Sequence, residues 1–197
     1  TYYYGTQVAT GINATSNGEG SAAGVTNSGD ITSDGIFGAT GIAATSAGLG
    51  GSASVDNSGL IYASQNQKYG YGAYGIVVSA DGDGSIDNSG GIGVYSGGAA
   101  SGATVLAFAG DASVTNSGDI EVVSGAQKYS GATGIDAFAQ NGEALVSNSG
   151  SITAVSANTA RAVSASGFAG ATVVNSGSLY ADGKYAYGVY ASSGLGE

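Results

Sequence analysis

The chain has 197 residues, about half of them Gly, Ala or Ser, and contains no Pro, Cys, Met, Trp or His. Without Cys or His there is no thiol chemistry, no imidazole acid–base catalysis and no Cys/His zinc site. Four basic residues against 14 acidic ones leave a net charge of −10, which argues against a nucleic-acid partner.

Gly at this frequency suggests a linker, yet 42% of the residues are hydrophobic and only 9% are charged. Gly follows no strict third-residue period and Pro is missing, so a collagen-type helix is excluded. Gly, Ser, Thr and Asn are poor helix-interior residues, and no apolar stripe of helical period runs for any length. Short strands joined by Gly- and Asn-rich turns remain. The longest apolar run, Val105 to Ala109, has five residues, far short of a membrane-spanning helix. The chain begins with Thr and shows no signal peptide, which predicts a mature or excised segment.

In chain order, the first element is the block Ala9-Thr-Gly-Ile12-Asn-Ala14. The second ends at Val25-Thr-Asn27-Ser-Gly, and the third starts at Ile31. The series then repeats. Asn-Ser-Gly returns with its Asn at Asn27, Asn57, Asn88, Asn116, Asn148 and Asn175, in steps of 30, 31, 28, 32 and 27 residues. An aliphatic residue lies two positions before each Asn and another four positions after it. The first block returns with aliphatic residues Ile12, Ile42, Ile76, Leu106, Ile135, Val163 and Val189. An Ala stands three positions before each of these. Its outer column reads Thr10, Thr40, Tyr74, Thr104, Thr133, Arg161, Tyr187, too irregular for an ice-binding array.

Each unit of about 30 residues therefore holds three short alternating strands, and a single unit cannot bury their inner sides alone. Stacking copies in parallel does so. The predicted fold is an all-β, three-faced parallel β-solenoid of six to seven rungs. It forms one domain over residues 1–197, open at both ends. At one corner the six Asn residues should stack as a hydrogen-bonded ladder. The Gly that follows each is expected to supply positive φ at the turn. Every second first-block element is preceded by Lys-Tyr, at Lys68-Tyr69, Lys128-Tyr129 and Lys184-Tyr185. This suggests duplication of rung pairs.

The motifs Val-x-Asn-Ser-Gly-x-Ile and Ala-x-Gly-Ile-x-Ala, repeated from Ala9 to Ala191, resemble the passenger regions of bacterial autotransporters and haemagglutinin-like surface adhesins. The resemblance implies a right-handed β-helix displayed at the bacterial cell surface, extracellular, as a rod or fibre. The chain starts and stops inside a repeat, so a piece of a longer array or a subunit that stacks end to end is expected.

Candidate chemistry is sparse. Asp81 and Asp83, in Asp-Gly-Asp-Gly, offer oxygens suited to calcium, without the recurring motif of calcium-bound β-rolls. Asp119 and Glu121 flank Ile120 as paired carboxylates, but the acids are spread over different columns, so no enzymic activity and no cofactor are expected. Of 13 Tyr, those at Tyr69, Tyr71, Tyr74, Tyr129, Tyr185 and Tyr187 form the expected contact surface, for another copy of the chain or for a cell-surface glycan or protein. The sequence thus supports two functions. One is a structural or adhesive rod that self-associates head to tail or laterally. The other is an adhesin segment that binds carbohydrate or protein through Tyr-rich loops.

Overall fold

The structure is a computed structural model, which describes residues 8–67, 70–125 and 130–194. The first turn consists of β1 (Val8–Ser16), β2 (Ala23–Asn27) and β3 (Ile31–Gly35), and the second of β4 (Gly38–Ser46), β5 (Ala53–Asn57) and β6 (Ile61–Gln65). The third is β7 (Gly72–Ala80), β8 (Gly84–Asn88) and β9 (Ile92–Ser96), and the fourth β10 (Ala100–Ala107), β11 (Ala112–Asn116) and β12 (Ile120–Ser124). The fifth is β13 (Gly131–Ala139), β14 (Glu143–Asn148) and β15 (Ser151–Ser156). The sixth is β16 (Thr159–Gly167), β17 (Gly170–Asn175) and β18 (Ser178–Asp182), and β19 (Tyr185–Ser193) opens a seventh.

Every third strand pairs in parallel with its counterpart one turn away. The result is a seven-stranded sheet A (β1 to β19), a six-stranded sheet B (β2 to β17) and a six-stranded sheet C (β3 to β18). The fold is the three-sheet β-solenoid that the repeat predicts. Turns lie about 4.8 Å apart, the spacing of hydrogen-bonded strands. No helix among the described residues is long and apolar enough to cross a membrane.

The core is a narrow column of Ala, Val and Ile. Ile42, Ile76 and Ile135 of sheet A, Val55, Ile86 and Val114 of sheet B, and Ile61, Ile92 and Ile120 of sheet C are buried in register. The strands of sheet A are longer than the others and bend midway, where two consecutive residues, such as Gly41 and Ile42, both face inward. At that bend a Cβ would collide with an isoleucine methyl on the sheet C strand of the same turn, for example Ile61 Cγ2 against Gly41 and Ile92 Cγ2 against Gly75. Wherever the sheet C strand carries isoleucine at this place, the bend therefore requires glycine for lack of room.

The same constraint corrects the sequence reading of the fourth turn. Ala100, not Ala103, pairs with Ala73, and Ala103 pairs with Ile76. Leu106 therefore falls beside Ser79 on the outer side, half-buried, while Val105 is buried inside. The expected register would put Val105 at the bend. The observed one puts Gly102 there, against Ile120 Cγ2. Ser101 consequently replaces Thr104 in the outer column.

A second correction concerns the glycines of Asn-Ser-Gly. Among the described residues positive φ occurs only at Gly20, Gly50 and Gly72. The corner glycines are needed for close approach instead. A Cβ on Gly59, Gly90, Gly118, Gly150 or Gly177 would strike the carbonyl of the corresponding glycine, one turn back.

Candidate functional site

The corner between sheets B and C is built by the asparagines. The Nδ2 of every ladder asparagine but Asn175 donates twice. One bond goes to the carbonyl of the glycine two residues on, at 2.7 Å for Asn27 to Gly29 and 3.0 Å for Asn57 to Gly59. The other goes to the Oδ1 of the next turn's Asn, at 2.8 Å from Asn27 to Asn57 and from Asn57 to Asn88, and 2.7 Å from Asn88 to Asn116. Asn116 to Asn148 and Asn148 to Asn175 complete the ladder at 2.8 Å each. Asn57, Asn88, Asn116 and Asn148 are buried, so these amides must be satisfied internally, and they are. The ladder is polar, with Oδ1 of Asn27 facing out of one end and Asn175 Nδ2 at the other.

A less regular polar corner joins sheet C to sheet A, and the sequence reading did not find it. Gln65 Nε2 donates to Ile36 O at 2.9 Å, and Ser96 Oγ donates to Gln65 Oε1 at 2.9 Å. Ser124 Oγ donates to Gly98 O at 2.7 Å. The signal for it was the column Gln65, Ser96, Ser124, Ser156, in which mostly a hydroxyl takes the place of an amide.

Asp81 and Asp83, the calcium candidates, are engaged in opposite directions along the stack. Asp81 Oδ2 accepts from Gly50 N at 2.7 Å, and Asp83 Oδ1 accepts from Asp111 N at 2.9 Å. Asp111 Oδ1 in turn accepts from Glu143 N at 2.8 Å. These carboxylates cap the backbone of neighbouring turns. No three acidic side chains that could hold a metal come together among the described residues.

The expected tyrosine surface is divided. Tyr69 and Tyr129 lie outside the described residues. Tyr71 is 69% exposed, and Tyr74 is half-buried on the outer side of sheet A. Tyr185 and Tyr187 are exposed on β19. Lys184 Nζ lies 5.1 Å from the Tyr185 ring centroid. Arg161 Cζ lies 5.6 Å and 5.4 Å from the rings of Tyr187 and Tyr190, within cation–π range. In the same outer face burial holds the Asp136 carboxyl above the usual range, against the opposing effects of a Ser164 hydrogen bond and the Arg161 charge.

No family model matches the chain, and no curated protein or solved structure scores as a match to it. What it can bind or build rests on its own surfaces.

The most differentiated of these is on sheet C and involves two tyrosines that the sequence reading passed over. The outward positions of successive turns read Asp30/Thr32, Leu60/Tyr62, Gly91/Gly93, Asp119/Glu121, Ser151/Thr153 and Ser178/Tyr180. The third turn alone lacks both side chains, and this leaves a trough along the strand. Leu60 and Tyr62 form one wall, and Asp119 and Glu121 the other. Tyr95 closes the trough near Gly93, with its ring 5.5 Å from that of Tyr62. Burial and a hydrogen bond to Glu121 raise the pKa of the Tyr95 hydroxyl above its ordinary value. The signal in the sequence was Gly91-Ile92-Gly93, two outward glycines flanking an inward isoleucine.

Proposed function

We propose that this protein is an extracellular structural or adhesive β-helical element that forms a rod or fibre at the bacterial cell surface, as a member of the autotransporter-passenger or haemagglutinin-like adhesin class. The observation that carries the reading is the polarity of the asparagine ladder within a continuous parallel stack. Sheets A, B and C hold the same register from turn to turn, and the ladder presents an acceptor at the Asn27 end and a donor at the Asn175 end. A further turn placed on either end meets a complementary partner, so the architecture extends without a change of rule. Two such ends brought together give a heterologous contact that does not close, which generates filaments. No catalytic role enters this reading, and nucleic acid is not among the partners.

A second reading, a binding segment that recognises carbohydrate or protein through its tyrosine-rich loops, is favoured by the exposure of Tyr71 and Tyr185. Electron microscopy of the purified chain separates the two. Long filaments support the rod. Dispersed short rods that capture glycans on an array support the binding segment and overturn the first reading.

A further inference from the structure

The geometry points to the sheet C trough as a binding site for one pyranose ring carrying a free amine, with Tyr62 as the stacking surface and Asp119 and Glu121 as the polar wall. It lies on a sheet face, apart from the tyrosine-rich loops, and does not depend on the fibre reading, since a monomer carries it whole.

Three observations carry the assignment. The first is shape. Gly91 and Gly93 vacate two adjacent outward positions of one turn, while the turns on both sides keep theirs. Facing walls two turns apart are separated by about 10 Å between backbones, and the two vacated positions span about 7 Å along the strand. Leu60 Cδ1 leans to 3.0 Å from the Cβ position of Gly91, and the Tyr95 and Tyr62 rings to 3.5 and 3.6 Å from that of Gly93, so the space left is that of one six-membered ring at most.

The second is the contrast between the walls. Leu60 is 53% and Tyr62 40% exposed, so an apolar and aromatic surface faces the trough. Opposite stand two carboxylates on alternate residues, Asp119 just before β12 and Glu121 within it, and both line the trough. A pyranose has the matching division, with a C–H face that packs on an aromatic ring and a rim of hydroxyl donors.

The third is charge. Among the described residues neither Asp119 nor Glu121 forms an ion pair, and the chain has only four cationic side chains against 14 acidic ones. Carboxylates accept and do not donate. A ligand that fills the trough must therefore bring donors, and an ammonium is favoured over a hydroxyl because charge-assisted bonds are stronger. Tyr95 closes the end of the trough beside Gly93, with its ring 5.5 Å from that of Tyr62.

The test is a titration of the isotope-labelled chain by NMR with glucosamine, glucose and N-acetylglucosamine. Glucosamine should shift the amides of Gly91, Gly93, Tyr95 and Glu121 with a dissociation constant of about 1–10 mM, ordinary for a single ring. Glucose and N-acetylglucosamine should bind about tenfold more weakly. Gly93→Thr should abolish the shifts while leaving the melting temperature unchanged. An added Cβ there meets the Tyr95 and Tyr62 rings only at 3.5 and 3.6 Å, and Thr32 and Thr153 already occupy the same column. Glu121→Gln should remove the preference for the amine. Absence of shifts in the trough, undiminished binding by Gly93→Thr, or equal binding of Nα-acetyl-lysine amide would each overturn the assignment. The last outcome would mark the site as one for a protein's lysine.

Discussion

The Cγ2 methyl of Ile152 occupies the space that a Cβ on Gly134 would need. The same relation holds between Ile31 and Gly11, Ile61 and Gly41, Ile92 and Gly75, and Ile120 and Gly102. In the sixth turn both members change together, to Ala162 and Leu179. Leucine branches at Cγ and so carries no methyl on its Cβ, which accommodates the extra carbon of Ala162. Gly134→Ala alone should therefore destabilise the protein by about 1–3 kcal/mol, the usual range for overpacking. Combined with Ile152→Leu it should recover part of that loss, with a coupling energy of at least about 0.5 kcal/mol in thermal or chemical denaturation. Strict additivity of the two changes would contradict the fit.

The corner ladder makes a separate prediction. Asn116→Ala removes an amide that donates to Gly118 O and Asn148 Oδ1 and accepts from Asn88 Nδ2. Leaving buried partners unsatisfied costs about 1–3 kcal/mol. Ser113→Ala, on the outward side of the same strand, should cost much less. Equal melting shifts for the two variants would count against the ladder.

Close approach, rather than backbone handedness, accounts for the corner glycines. Gly118→Ala should be strongly destabilising, because its Cβ would meet Gly90 O. Gly29→Ala, in the first turn, has nothing within 4 Å of the added carbon and should be nearly silent. Comparable losses at both positions would restore a conformational explanation.

On sheet A the inward and outward sides can be tested at adjacent residues. Ile135→Asp should prevent folding, since Ile135 is fully buried in an apolar column. Asp136→Asn should act in the opposite sense at neutral pH. The folded-state pKa of Asp136 is raised, so the folded form binds its proton more readily than the unfolded chain does. Stability therefore falls as pH rises through the unfolded and then the folded pKa of this group. The Asn variant should be the more stable above that window, and the difference should vanish below the unfolded value. Denaturant melts at acidic and neutral pH would measure it.

Much of the solenoid was legible in the sequence because its inner columns repeat. The Val-x-Asn-Ser-Gly-x-Ile spacing placed sheets B and C, the corner between them and all six ladder asparagines. The fourth turn of sheet A was misread because Ala103-x-x-Leu106 imitates the Ala-x-x-Ile pattern. Only the packing at the bend, where Val105 has no room and Gly102 does, decides the register. The trough is not legible in the sequence for the opposite reason. Outward positions carry no repeat, so Tyr62, Gly93, Tyr95 and Glu121, spread over 60 residues of sequence, become neighbours only once the turns are stacked. The loop tyrosines cluster in sequence, which is not a measure of convergence in space.

The central claim, that the stack continues from one copy to the next, is tested most directly by sedimentation velocity of the purified chain at low and high salt. The net charge of −10 opposes association, and salt screens it over a length that shortens from about 30 Å at 0.01 M to about 8 Å at physiological ionic strength. The account predicts species whose mass grows with protein concentration and with salt, and whose frictional ratio rises as linear assembly proceeds. A strict monomer at both salt concentrations and at high protein concentration would contradict it.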